Sequence, residues 1–504
     1  MSRIKIGWAE EEFQFPKPIS LVGQFAERIS EYIEKPLTVT ALAVDSGEDQ
    51  MVLCSTDLVS ISVPFMKAIR TKLEGNAEGL NPEKVIISAI HTHTGPGYIG
   101  KGVGVTNEGN GIVGAKQILE GELPEGKKYI ENVQIQNNDN IMTVEEITKE
   151  LIDKITKAIL DAWTKRAEGS FVNAFGRAAI GMCRRVCYSD GTAQMWGDTN
   201  LATFKELEGG NDSGIELLYI FDNKNKLTGV VANLACPAQC VQHRLFVSPD
   251  FWGETKMLLR KHFGEDIYLL PLCSAAGDQC PVDLVRWVEP ETDVNDPNLK
   301  RNMPPKRVAD PSMFDLAGMR KTGKRIATEI IDVYNDGLYE VQSDVTFEHQ
   351  VHNMKLPLRR ANESEEQKAR DAIREYLNNI EGDADYNDVA NMQIHIGVLS
   401  RVALQKVVDV VDTEIHIIRL GNIAIATNPF ELFLNYGNQM KARSKAEQTF
   451  VVQLTCGAEG YLPTKRAEEG GHYSAFHASG SVGHEGGAIL VEQTLEKINN
   501  MFES

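Results

Sequence analysis

The chain has little that would commit it to a membrane, a nucleic acid or a fibre. No apolar run approaches the ~18 residues of a spanning helix. The opening Met1-Ser2-Arg3-Ile4-Lys5-Ile6-Gly7-Trp8 passes into Glu10-Glu11-Glu12 with no apolar signal core. Basic residues are in deficit: 52 Lys and Arg against 71 Asp and Glu leave a formal charge of −19. That balance opposes nucleic acid and anionic lipid as main partners. Internal repeats and low-complexity linkers are also missing, which excludes solenoids and beads-on-a-string modules. Eight cysteines in 504 residues without a secretion signal read as reduced thiols, so a cytoplasmic location is expected.

What is present is an ordinary globular composition, 42% hydrophobic and 24% charged. Length alone allows two to four units at roughly 150 residues each, but with no linker in view one α/β body over 1–504 is the simpler reading. Residues 38–45 and 51–57 read as paired strands around Ser46-Gly47-Glu48-Asp49, and Phe65, Ile69 and Leu73 give a helix over 63–74. Thr143 with Glu146 three residues on predicts a capped helix start. Ser248-Pro249-Asp250 predicts another, with Ser248 as the cap. Strands are expected over 267–272 and as a hairpin over 413–427 around Gly421-Asn422, with helices near 313–335 and 362–380. The Gly-, Asn- and Glu-rich stretch 98–143 is long for a plain connection and reads as a lid or insertion.

Chemistry concentrates at His91-Thr92-His93-Thr94-Gly95-Pro96-Gly97, directly after the β-branched run Val85-Ile86-Ile87. If the strand runs on, residues two apart share a face, and His91 and His93 project together. Two imidazoles beside a glycine-rich turn suit a metal or acid–base site. Asp57, at the end of the preceding strand, is placed to orient one of them. His472, His477 and His484 lie in a Gly- and Ser-rich stretch and read as solvated loop histidines.

The HTHTGPG segment resembles the His-Thr-His-Ser-Gly-Pro-Gly signature of the neutral/alkaline, non-lysosomal ceramidase family of zinc amidohydrolases. Further segments match that family in order, so the resemblance runs from about Gly7 to about Val491. It implies a large mixed α/β amidohydrolase body without a separate C-terminal immunoglobulin-like domain. Gly181-Met182-Cys183-Arg184-Arg185 resembles the family's Asn-Arg element, which implies that Arg184 reaches the substrate carbonyl. Ala235-Cys236-Pro237 stands where the family has His-Pro, so Cys236 takes the place of the second zinc histidine, with Cys240 and His243 as nearby substitutes. Gly277-Asp278-Gln279-Cys280-Pro281 resembles Gly-Asp-Val-Ser-Pro, with Cys280 for the serine. Asn428-Pro429-Phe430-Glu431 resembles Pro-Gly-Glu, which implies Glu431 as a metal ligand. Tyr461 and Tyr473 resemble the family's two tyrosines, the first a ligand and the second a donor to the substrate oxygen.

The resemblance therefore implies zinc held by His91, Cys236, Glu431 and Tyr461, with His93, Arg184, Tyr473 and Cys280 as the catalytic set. The expected reaction is hydrolysis of a linear amide, in a small-molecule or lipid-like substrate, by metal-activated water. Two other classes stay open at this point. One is a metal-free cysteine hydrolase using Cys280, the other a non-catalytic binding protein of the same fold. No motif bears on oligomeric state.

Overall fold

The architecture follows from twelve strands that make two sheets, as seen in a computed structural model that describes residues 2–24, 28–98, 114–130, 140–288, 308–310, 314–338 and 340–503. In chain order the first sheet contains β1 (Lys5–Glu12), β2 (Thr38–Asp45), β3 (Gln50–Thr56), β4 (Val85–Ala89), β5 (Ala167–Arg177), β6 (Gly214–Asp222), β7 (Leu227–Leu234) and β8 (Tyr268–Cys273). Its spatial order is β8-β7-β6-β5-β1-β2-β3-β4, so β4 and β8 are its two edges. The second sheet, β9 (Phe347–Pro357), β10 (Val410–Leu420), β11 (Ile423–Thr427) and β12 (Gln448–Val452), keeps chain order.

Most neighbours are antiparallel, but three pairs are parallel: β3 with β4, β7 with β8, and β11 with β12. Each parallel pair needs a crossover, and each has a helix in it. These are Val63–Leu73, Phe251–Phe263 and Leu434–Arg443. All six strands in these pairs are buried almost throughout, which is why their sequences are nearly continuous apolar runs rather than alternating ones. One core cluster joins the first sheet to the helix Val144–Thr164 through Ile147, Leu151, Ile155 and Ile159. Another joins the second sheet to the closing helix His484–Glu503 through Leu490, Val491, Leu495 and Ile498.

Local signals are reproduced where local chemistry decides them. Thr143 accepts from the Glu146 backbone N–H while the Glu146 carboxylate takes the Thr143 N–H. The hairpin turn at Gly421 has φ of 62°, a left-handed value suited to glycine. The Ser248 signal is displaced. Asp250 is the true cap, accepting from Phe251 N, and Ser248 Oγ instead takes the Asp250 N–H at 3.0 Å. Asp250 sits at φ 56°, so the chain turns sharply before the helix begins. The lid expectation falls largely on 99–113 and 131–139, outside the described residues; the described piece Ala115–Gly121 is helical and buries Leu119 against Ile373, Leu377 and Ile396. Among the described residues no helix is long and apolar enough to cross a membrane.

The segment after β12 fastens the parallel pairs to one another. Gln453 N donates to Cys273 O at 3.0 Å, at the end of β8. Leu454 O accepts from Ala89 N at 3.2 Å, and Cys456 N donates to Ile87 O at 3.0 Å, both on β4. Thr455 N donates to Asn428 O at 3.0 Å, just beyond β11. The Gln453 side chain completes the junction: its Oε1 accepts from Ala276 N at 3.1 Å and Leu432 N at 2.9 Å. Replacing Gln453 by Leu would orphan two buried N–H groups. That change is expected to cost about 2–4 kcal/mol in urea unfolding; a loss below about 0.5 kcal/mol would show the amide to be dispensable.

Candidate active site at the carboxyl ends of the parallel strands

The loops leaving β3, β4, β7, β8, β11 and β12 meet at one place, the position at which open α/β sheets bind ligands. His91 follows β4. The strand stops at Ala89, and His91 takes φ of 65°, so the two histidines do not share a face by strand alternation. The turn nevertheless brings the rings together edge-on, with centroids 4.8 Å apart. His91 Nδ1 lies 2.7 Å from Val59 O. A carbonyl only accepts, so Nδ1 carries a proton, and Nε2 on the far side of the ring meets Glu431 Oε2 at 3.4 Å.

Asp57 is not the orienting group. Its Oδ2 takes the Thr38 N–H and hydroxyl at 2.7 and 2.9 Å, and the Val59 carbonyl two residues on does the orienting.

Glu431 and Tyr461 are held as a pair. Glu431–Leu432 runs parallel to Tyr461–Leu462, with Glu431 opposite Tyr461. Gly277 lies against this ladder so closely that a Cβ there would stand 2.3 Å from the Glu431 carbonyl oxygen. Burial raises the Glu431 carboxyl, but the neighbouring His91, Tyr461 and Arg184 outweigh it and hold the group below the usual carboxylate range. Burial pushes the Tyr461 phenol well above its ordinary value. Tyr461 donates to Tyr473 Oη at 3.3 Å, with the rings edge-on at 5.4 Å.

Arg184 enters from a second ladder in which Met182–Cys183 pairs with Gln279–Cys280. Two of the motif segments are thus neighbouring strands. Arg184 is buried; Nη2 donates to Gly277 O at 3.0 Å and approaches Tyr461 Oη at 3.4 Å, and Nη1 donates to Gln239 Oε1 at 3.1 Å. Its Nε is buried with no partner.

Gln239, which the sequence gave no reason to single out, passes its amide N–H to His93 Nε2 at 2.9 Å. Since Oε1 faces the guanidinium, the amide orientation is fixed and His93 Nε2 must be an acceptor. Burial, then the charges of His91, Arg28 and Arg184, drive the His93 pKa well below its ordinary value. His93 is therefore a neutral base.

The cysteines behave differently from the motif alignment. Cys236 is buried, with Sγ against the carbonyls of Pro237 at 3.6 Å and Ile180 at 3.9 Å. Among the described residues no third His, Cys, Asp or Glu donor lies within 4.8 Å of both His91 and Glu431, so Cys236 is not brought into that pair. Cys240 reaches toward Thr322 and His243 toward Asp315, away from it. Cys280 Sγ faces Val282 O at 3.4 Å, and burial pushes its thiol up to about 12, the wrong direction for a nucleophile.

Each tail histidine is tied to the protein, and His477 is buried while His472 and His484 are half-buried. His472 Nδ1 accepts from Met195 N at 3.1 Å, His477 is buried beside Glu365 at 3.3 Å, and His484 meets Glu468 at 2.7 Å.

Arg185 supplies the scaffold. It is fully buried, pairs with Glu208 at 2.8 Å, and donates to the carbonyls of Ala467, Gly471 and Tyr473 and to Ser474 Oγ. It holds the loop that presents Tyr473. Arg185→Met strands the buried Glu208 and is expected to cost about 3–5 kcal/mol by thermal unfolding. Unchanged stability would remove Arg185 from this role.

No protein-family model matches the sequence, and no curated protein matches it. Solved structures do. The neutral ceramidase of Pseudomonas aeruginosa superposes with a TM-score of 0.66 at 14% identity, covering 100% of this chain and 75% of that one. A ceramidase complexed with C2 gives 0.66 at 11% identity, covering 100% and 76%. At such identities the likeness is one of architecture: the chain has a ceramidase-like, mixed α/β fold.

Proposed function

We propose that this chain is a zinc-dependent amidohydrolase that cleaves a linear amide, with His91, Glu431 and Tyr461 as the metal-holding set. The observation that carries this reading is the His91–Glu431 pair. Nε2 and the ionised carboxylate face each other in a buried site, where a positive charge belongs between them, and a metal ion supplies it in place of a second ring proton. Two ligands at about 2.0–2.1 Å in a tetrahedral shell stand about 3.3 Å apart, and Nε2 and Oε2 are 3.4 Å apart. The donor set of one imidazole, one carboxylate and one phenol oxygen suits zinc. Bound there, zinc would supply Lewis acidity to the amide carbonyl and make water at the site more acidic.

The remaining residues divide the work. Arg184 keeps a permanent positive charge at the centre, and its unpartnered Nε is available to an oxyanion forming on the carbonyl. Tyr473, whose phenol burial raises to about 12, stays protonated and can donate to the same oxygen. His93 is neutral, and its Nε2 can take a proton for the leaving amine once substrate displaces the Gln239 N–H that it accepts here. Gln239 fixes its ring against Arg184. Cys236 and Cys280 serve as buried packing between these segments. The substrate class is an N-acyl amide, either small and soluble or lipid-like.

The test is hydrolysis of a panel of N-acyl amides by zinc-loaded and chelator-treated protein. Activity should require zinc, and Arg184→Met should lower kcat about 10²–10³-fold with little change in KM. Turnover that survives metal removal and is blocked by thiol alkylation would instead assign the chemistry to Cys280.

A further inference from the structure

We propose a second metal site, formed by Glu414, His416 and Cys456, that binds a zinc-class divalent cation and fastens the four-stranded sheet to the β4 edge of the eight-stranded one. These residues stand outside the site above, and they are the one His/Cys/Asp/Glu group of three among the described residues whose donor atoms all lie within 4.8 Å of one another. Glu414 and His416 come from β10, and Cys456 from the strap that is hydrogen-bonded to β4. His416 is fully buried and Cys456 nearly so.

Hydrogen-bond partners fix how the imidazole is presented. His349 Nδ1 lies 3.0 Å from Gln50 O, an obligate acceptor, so that nitrogen holds the proton. The His349 Nε2 lone pair then faces His416 Nδ1 at 2.8 Å, which obliges His416 to carry its proton there. His416 Nε2 then faces Glu414 Oε1 at 2.9 Å, a position that holds either a second ring proton or, in its place, a metal ion.

The surroundings have the form of a metal site's outer layer. A ligating histidine usually gives its second N–H to a fixed acceptor, and a ligating carboxylate is usually hydrogen-bonded. Here His349 and the Gln50 carbonyl hold the imidazole, and Arg70 donates to both Glu414 oxygens at 2.7 and 2.8 Å. Imidazole, carboxylate and thiolate together suit zinc or cobalt(II) rather than magnesium or calcium. Binding would release the Cys456 thiol proton to solvent as the sulfur–metal bond forms. The half-buried Glu414 carboxylate marks the route of entry.

The experiment is metal titration of the full chain with zinc and with cobalt(II), alongside Cys456→Ser, His416→Gln and the double variant H91A/E431Q. The wild-type chain should take up two metal ions. H91A/E431Q should keep one, and its cobalt(II) form should show a thiolate charge-transfer band in the near ultraviolet. Cys456→Ser should lose that band and bind the ion at least tenfold more weakly. Retention of the band and full affinity in Cys456→Ser would overturn the proposal. So would a wild-type chain that binds a single ion, lost in H91A/E431Q, while proton-detected NMR shows His416 doubly protonated. Because the first site is emptied separately, failure there leaves this result readable.

Discussion

Everything at the candidate site depends on the four residues that follow β12. The strap formed by Gln453, Leu454, Thr455 and Cys456 hydrogen-bonds to β4 and to the ends of β8 and β11, which otherwise belong to different sheets or opposite sheet edges. Leu454 and Cys456 both take left-handed φ of 55°, which lets one short stretch face several partners. The Gln453 amide then fixes Ala276 and Leu432, on either side of Gly277 and Glu431. The chain has drawn three parallel strand–helix–strand units together at their carboxyl ends, and the strap makes that convergence specific.

That scaffold places positive and negative groups in a dry interior where each must be answered. Arg184 is permanently charged, Glu431 is held ionised, and His93 is kept neutral. The phenols of Tyr461 and Tyr473 keep their protons. His91 Nε2 and the Glu431 carboxylate face each other at 3.4 Å. In the proposed function a cation lies between them, with Arg184 and His93 placed around it.

What was legible in the sequence was local or strongly patterned. The Thr143 cap, the hairpin at Gly421 and the apolar parallel strands depend on neighbours within a few residues. The ordered motifs carried Arg184, Glu431, Tyr461 and Tyr473 to one neighbourhood. His91 and His93 meet as expected but through a left-handed turn rather than a continuing strand, because backbone sign at one residue leaves no trace in composition. Gln239, Gln453 and Arg185 were silent. Their roles are long-range hydrogen bonds to groups between 20 and 290 residues away, and a lone polar residue in an apolar stretch does not announce its partner. The cysteine at 236 reads as a ligand by alignment, yet its sulfur points at carbonyls.

The central claim is that a cation separates His91 from Glu431. Diffraction from crystals grown with zinc, measured on both sides of the zinc absorption edge, tests it directly. The account predicts an anomalous peak within about 2.2 Å of both His91 Nε2 and Glu431 Oε2, with Tyr461 Oη in the same shell. A site without such a peak, in which His91 donates a contracted hydrogen bond straight to Glu431, would contradict it.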